Sequence, residues 1–185
     1  MIQLNVGCWT RNFGDEWIHI DQCDQDHIDI KDDIRNLNKH FENGTVDLIY
    51  ASHVIEYFDR QEVALLLESW VPLLKPGGIL RVAVPDFANM VTLYRDRGYP
   101  LERFLGPLYG RMDKDSSGDK IYHKTVYDEY HLMTLLSDAG LNNVKKWDWR
   151  KVDHGKFNDF SQAHLPHKDT ENGISVSLNM QGTRS

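Results

Sequence analysis

Cysteine is scarce in this 185-residue chain, occurring only as Cys8 and Cys23. Two thiols without a basic-plus-apolar leader do not make a disulfide framework, and they lack the clustered spacing of a zinc site. A reducing, cytoplasmic setting is therefore expected. Cationic charge is also short, with 21 Lys and Arg against 28 Asp and Glu and a net charge of −7. That balance argues against a general nucleic-acid or anionic-membrane binder, which needs positive surface to displace counterions from phosphates. No apolar run approaches the ~20 residues of a membrane span, so the chain is expected to be soluble. Internal repeats and low-complexity tracts are missing too. What remains is ordinary globular composition, 41% hydrophobic and 26% charged, of a length that suits one domain over residues 1–185.

The charge is unevenly spread. Residues 1–34 hold eight acids against Arg11 and Lys31, whereas residues 95–124 hold seven Lys or Arg against five acids. An anionic partner would land on the second region.

The opening stretch Leu4-Asn5-Val6-Gly7-Cys8 reads as a strand with a tight glycine turn, and Trp17-Ile18-His19-Ile20-Asp21 as a second strand ending in a carboxylate. A glycine just past a first strand lets backbone N–H groups and a ligand approach without a Cβ in the way. A carboxylate ending the neighbouring strand can accept hydrogen bonds from both hydroxyls of a ribose. The same residues also suit a plain turn and a solvent-facing acid. The full dinucleotide fingerprint is absent, because Trp9 stands at the second glycine position and Gly14 is out of register. The gaps after both strands are too short for the usual crossover helices, which implies a trimmed first half with loops in their place. A third short strand is expected over His27 to Lys31. After it, Asp33-Ile34 sets a polar group beside an apolar one, suited to the edge and face of a purine or to a simple charged turn.

Farther along, the pattern sharpens. Val46 to Ser52 is a nearly continuous apolar run of strand length, as expected of a central strand covered on both faces. Asp59 with Glu62 three residues on makes a capping pair, and Val63, Leu66, Leu67, Trp70 and Leu74 recur at helical spacing, with Pro72 distorting the last turn. Lys75-Pro76-Gly77-Gly78 turns the chain into a strand from Ile79 to Val84, completing a βαβ unit. Asp86 is placed to cap a helix with a stripe of Phe87, Met90, Val91 and Tyr94, stopped by Gly98. Residues 99–124 have no sustained period and contain the polar run Asp113 to Lys120, so a lid or acceptor-binding insertion is expected there. Asp128 caps a last helix carrying Leu132, Leu135, Leu136 and Ala139. Strands over Val144 to Val152 and Ile174 to Met180, separated by a long polar loop, are expected to form a late antiparallel pair at the sheet edge. The fold class is α/β, a Rossmann-like open and mostly parallel sheet.

Taken in order, Leu4 to Cys8, Trp17 to Asp21, Asp33-Ile34, the run Val46 to Glu56, and Leu74-Lys75-Pro76-Gly77-Gly78 resemble class I S-adenosylmethionine-dependent methyltransferases, in particular the short type-11-like group. The similarity continues through His123-Lys124 and Ala139-Gly140-Leu141. It implies S-adenosyl-L-methionine as cofactor and S-adenosyl-L-homocysteine as product. Carried over by position, Asn5, Gly7 and Cys8 would lie along the methionine and ribose, with Trp9 beside them. Asp21 would take the ribose hydroxyls, and Asp33 and Ile34 would meet the adenine. Ala51, Ser52 and His53 would flank the sulfonium. Two departures stand out: Trp9 replaces a second glycine, where an indole could stack on the cofactor or block it, and Tyr57 replaces a histidine after Glu56.

Methyl transfer needs alignment above all, with a general base only for a poorly ionised hydroxyl or amine. His53, Asp86 and His123 are the candidates for base or acceptor positioning, although Asp86 also suits a helix cap and His123 a lid contact. Arg11 could pair with the methionine carboxylate or stay solvated. In the carboxy-terminal group Asp153, His154, His164, His167 and Asp169, tight closed metal spacing is missing and no metal is expected. The expected reaction is methyl transfer to a small-molecule or saccharide acceptor, with neither nucleic acid nor membrane as partner. The competing readings are a degenerate domain that binds the cofactor, its product or a protein without turnover, and a nicotinamide-dependent oxidoreductase, against which the missing glycines argue.

Overall fold

The computed structural model describes residues 1–113 and 119–185. Its core is a seven-stranded sheet built from β1 (Gln3–Val6), β2 (Ile18–Asp21), β3 (Ile30–Lys31), β4 (Val46–Ser52), β5 (Leu74–Pro85), β6 (Leu141–Lys146) and β7 (Ser177–Arg184), in the spatial order β3-β2-β1-β4-β5-β7-β6. The first five strands pair in parallel. β7 lies antiparallel to both β5 and β6, so the expected late antiparallel pair is present, with β7 inside it and β6 at the edge.

β4 is central, as its apolar run requires. Ile49 and Ala51 face one core with Leu80, Val82 and Val84 of β5, and Leu48 and Tyr50 face another with Ala83. Alternating side chains thus bury both faces. The first core is covered by α1 (Glu62–Trp70), by α4 (Glu129–Asp138) and by a short 3-10 segment at Ile34–Lys39. At the start of α1, Asp59 accepts from the backbone N–H groups of Gln61 and Glu62, and Glu62 accepts in return from Asp59 N–H. Pro72 lies in the 3-10 turn Val71–Leu73 that ends the helix.

Among the described residues the second face carries no crossover helix. The loop between β1 and β2 supplies Phe13 and Trp17, and the segment after β6 supplies Trp147, His154 and Phe157. These rings pack on Tyr50, whose hydroxyl donates to Asp159 at 2.5 Å. Three 3-10 turns between Trp149 and Gln162 therefore do the covering that helices would do elsewhere, and the expected polar loop is a lid on the sheet.

Several sequence-based boundaries move. The third strand is only Ile30–Lys31, because the preceding residues turn. Leu74 belongs to β5 and pairs with Val46, while Lys75 to Gly78 bulges out before the register resumes at Leu48 and Ile79. Strand β6 begins at Leu141 and ends at Lys146, and β7 begins at Ser177. In α2 (Phe87–Arg97) the buried stripe is Met90 and Leu93, packed against Phe104 and Val176, and Phe87, Val91 and Tyr94 are exposed. Residues 99–113 include a short helix, α3 (Leu105–Tyr109), and a strand residue pair Met112–Asp113 that meets Lys120–Ile121. The rest of the expected polar run, 114–118, lies outside the described residues.

Candidate functional site

The sheet places the ends of β1, β2 and β4 together, and a hollow of about 520 Å³ opens beyond them. Gly7, Trp9, Asp21, Asp33, Ile34 and His53 all line it, joined by Cys23, Arg35, Tyr57, Glu62 and Lys124. Its size falls within the ordinary range of ligand pockets, ~300–1,000 Å³.

Gly7 makes the turn possible. Its φ is +65°, and an added Cβ would stand 2.6 Å from Val54 Cγ2. Its N–H donates to Ile20 O at 2.8 Å, tying the turn to β2. Asp21 then holds the next step of the loop: one carboxylate oxygen accepts from Trp9 N–H at 2.8 Å and the other from Cys23 N–H at 2.9 Å. A carboxylate oxygen can accept more than one hydrogen bond, and the Cys23 thiol also lies against this carboxylate. Trp9 sits in the left-handed region at φ 46° and forms part of the wall, leaving the hollow open. Asn5 is buried and donates from Nδ2 to Arg11 O at 3.1 Å. Arg11 itself stacks over Phe160, 5.3 Å from the ring centroid.

Asp33 is less available than the sequence suggests. Arg35, two residues on, forms a two-pronged ion pair with it, at 3.0 and 2.5 Å, and this pairing holds the carboxyl below its usual range. The spacing Asp33-Ile34-Arg35 is the signal that could have revealed Arg35. Ile34 is buried, and its carbonyl accepts from Trp70 Nε1 at 2.9 Å.

A second, tight space of about 30 Å³ lies between Asn5, Cys8, Ser52 and His53. Cys8 is buried there, and burial, then the Asp21 charge, push its thiol far up. The Cys23 thiol is pushed up to about 12 by the same two causes. Both cysteines are unpaired. Ala51 is buried in the core, and Ser52 Oγ, buried beside the tight space, has no hydrogen-bond partner among the described residues.

The three candidate bases separate. His53 (φ 56°) reaches the hollow, with Nε2 3.1 Å from Ser177 Oγ and Nδ1 3.3 Å from Glu56 Oε1. His123 is packed behind the wall, edge-on to Tyr57, with Nδ1 directed at Pro107 O at 2.9 Å. Burial lowers its pKa. Asp86 is not at this hollow. It caps α2 by accepting from Asn89 N–H and lines a third hollow of about 240 Å³ with Lys146, Trp147, Trp149, His164 and Ser177. Burial raises its pKa.

Lys124 closes the wall. Its Nζ pairs with Glu62 at 2.8 Å and its N–H donates to Glu56 O at 2.8 Å, so the end of the 99–124 segment is fastened across the hollow. Of the carboxy-terminal group, His154 is buried against Arg81, whose Nη1 lies 2.8 Å from its Nε2, and His164 Nδ1 donates to Gln162 O. Among the described residues no three such side chains converge on a metal-sized point. Among the same residues, no helix is long and apolar enough to cross a membrane.

Residues 15–82, from the loop before β2 into β5, match the family model of the methyltransferase domain. That stretch, well under half of the chain, is what the sequence shares with the methyltransferase domain. Solved structures share the fold over nearly the whole chain at low identity. A SAM-dependent methyltransferase from Archaeoglobus fulgidus is 15% identical with a TM-score of 0.56, over 98% of this chain and 85% of that one. A putative S-adenosylmethionine-dependent methyltransferase from Listeria monocytogenes is 14% identical with a TM-score of 0.55, over 100% and 91%. The 1,6-didemethyltoxoflavin-N1-methyltransferase of Burkholderia thailandensis, solved with 1,6-didemethyltoxoflavin and S-adenosylhomocysteine, is 9% identical with a TM-score of 0.54, over 100% and 71%. No curated protein matches the sequence.

Proposed function

We propose that the protein is an S-adenosylmethionine-dependent methyltransferase that acts within one domain, in the cytoplasm, on a small-molecule or saccharide acceptor. The observation that carries the cofactor assignment is the placing of Gly7 and Asp21 together on the 520 Å³ hollow: a turn that admits no side chain, beside a carboxylate that lines the same space. Asn5, Gly7 and Cys8 would follow the methionine and ribose of S-adenosylmethionine, Asp21 would accept from the ribose hydroxyls, and Ile34 would lie against the adenine. Asp33 would accept from the adenine edge while keeping its pairing with Arg35. Bound there, the cofactor supplies an already activated methyl group, so the protein's task is to hold the acceptor in line and to exclude water.

His53 is the side chain proposed to meet the reacting region, since it lines both the large hollow and the tight space beside Ser52. His123 is proposed as a wall residue and Asp86 as an acceptor-side residue of the third hollow. The acidic net charge supports an acceptor other than nucleic acid. The unpaired thiols of Cys8 and Cys23 support a reducing compartment.

Calorimetry with S-adenosylmethionine, S-adenosylhomocysteine and NAD in parallel tests the reading. Binding of the two sulfur compounds and not of NAD is expected. If neither sulfur compound binds, the proposal fails, and binding of NAD alone would point to oxidoreductase chemistry.

A further inference from the structure

The loop of residues 7–17 carries Gly7, Trp9 and Arg11 to the two spaces of the candidate cofactor site. Beneath it, two buried polar side chains hold its backbone. Asn5 of β1 and His19 of β2 are register partners on neighbouring strands, 2% and 3% exposed. Asn5 Nδ2 donates to Arg11 O at 3.1 Å, and His19 Nε2 accepts from Phe13 N–H at 2.8 Å, so the pair grips the loop on either side of Asn12. The Phe13 ring packs into the aromatic cover of the second sheet face and fixes the depth of the loop, whereas the two hydrogen bonds fix its register.

The Phe13 bond needs one form of the His19 ring. Asp29 Oδ2 accepts from the His19 backbone N–H at 2.8 Å and lies 3.2 Å from the ring Nδ1. An ionised carboxylate only accepts and a backbone N–H only donates, so Nδ1 carries the ring hydrogen and Nε2 the lone pair. An imidazolium, with a hydrogen on both nitrogens, has nothing to offer the Phe13 amide. Asp29 and His27, the latter edge-on with ring centroids 5.3 Å apart, are the titratable groups packed against the ring. Burial lowers the His19 pKa, Asp29 pulls the other way, and His27 adds to the lowering.

We propose that His19 is a positioning residue for the cofactor loop: its neutral ring, oriented by Asp29, takes the Phe13 amide and sets the loop in the register that S-adenosylmethionine meets. The proposal rests on the methyl-transfer reading above and adds a residue that lines neither the large hollow nor the tight space. Protonation of His19 and the Phe13 bond exclude each other. The anchored loop therefore binds one proton fewer than the released loop, whose histidine titrates near the ordinary 6.5. Cofactor affinity is full above that pH and falls as pH drops below it.

S-adenosylhomocysteine calorimetry on the full chain across about pH 5–8, the span in which histidine titrates, tests this with two variants. In His19→Gln the amide oxygen reaches the place of Nε2 and accepts without gaining a proton, whereas the shorter His19→Asn reaches only the Asp29 side. At the alkaline end the wild type and His19→Gln should bind alike, and His19→Asn should bind about two- to tenfold more weakly, the range of one net hydrogen bond. Toward the acid end the wild type should lose affinity and His19→Gln should keep it. Exchange of the Phe13 amide, corrected for its intrinsic rate, should be slow in the first two at alkaline pH and fast in His19→Asn. A residue that only fills space would give both variants the same loss and the wild-type pH profile, and that result overturns the proposal. If His19→Asn does not fold, the profiles of the wild type and His19→Gln decide. No binding by a wild type whose Phe13 amide is protected removes the methyl-transfer reading and leaves the anchor. Full binding by His19→Asn removes the anchor's role and leaves the reading.

Discussion

Asp21 accepts the backbone N–H of Trp9 at 2.8 Å, so the carboxylate that ends the second strand also fixes the residue standing where a second glycine is usual. The indole is carried to the rim of the hollow by a left-handed backbone held from below. This bond makes the Asp21 carboxylate and the unusual tryptophan one structural unit.

Asp21→Ala should therefore act twice. Loss of charge-assisted hydrogen bonds to the ribose should weaken S-adenosylhomocysteine binding by roughly 1.5–3 kcal/mol. Loss of the Trp9 and Cys23 anchors should speed amide exchange in residues 8–11 and 22–24. Calorimetry with hydrogen exchange on the same variant checks both. Unchanged affinity would mean that the ribose lies elsewhere.

Gly7→Ala isolates the turn. At φ +65° any side chain costs about 1–2 kcal/mol from the backbone alone, and here the methyl also meets Val54 at 2.6 Å. The denaturation midpoint should fall by more than the backbone cost, and adding Val54→Ala should recover the steric share relative to Val54→Ala alone. A double-mutant cycle in urea measures that coupling.

The legible parts of this fold are those whose physics is local. The continuous run Val46 to Ser52 announces a strand buried on both faces, and Asp86 and Asp128 announce helix starts because a short acceptor side chain satisfies the first free amides. Gly7 and Asp21 were readable for the same reason. The aromatic cover on the second sheet face was not, since Phe13, Trp17, Trp147 and Phe157 come from two ends of the chain and share no period. Helix α2 misled because its apolar residues outnumber its contacts: Phe87, Val91 and Tyr94 are exposed and only Met90 and Leu93 pack inward. Glu56 stands in a sequence motif beside His53, but nothing local shows that His123, from a distant segment, also faces it.

His154 gives the fold a pH dependence. Burial, then the neighbouring Arg81 charge, lower its pKa from an ordinary 6.5 to about 3. Its folded-state pKa is depressed, so the unfolded chain binds the proton first. Stability is full above pH 6.5 and is lost as pH falls from there toward about 3. The slope from this group approaches about 1.4 kcal/mol per pH unit within that window. Urea titrations at several pH values should show it, and His154→Phe should flatten it, although the variant starts less stable because Arg81 loses its partner.

Tyr50→Phe tests whether the carboxy-terminal segment is held to the sheet by one buried contact as well as by its rings. Tyr50 is fully buried in the central strand, and its hydroxyl donates to Asp159 Oδ2 at 2.5 Å. Ser161 satisfies the other carboxylate oxygen through both its N–H and its hydroxyl. Removing the phenol therefore leaves one buried oxygen unpaired while the loop's own turn stays intact, at a cost of about 1–3 kcal/mol. The effect should be unequal along the chain. Amides of residues 149–162 should exchange faster in proportion to that cost, whereas β4 and β5 should keep their protection, because the aromatic stack still excludes water from the sheet. Equal acceleration across the sheet and the segment would mean that the two open together and that the cover is part of the core.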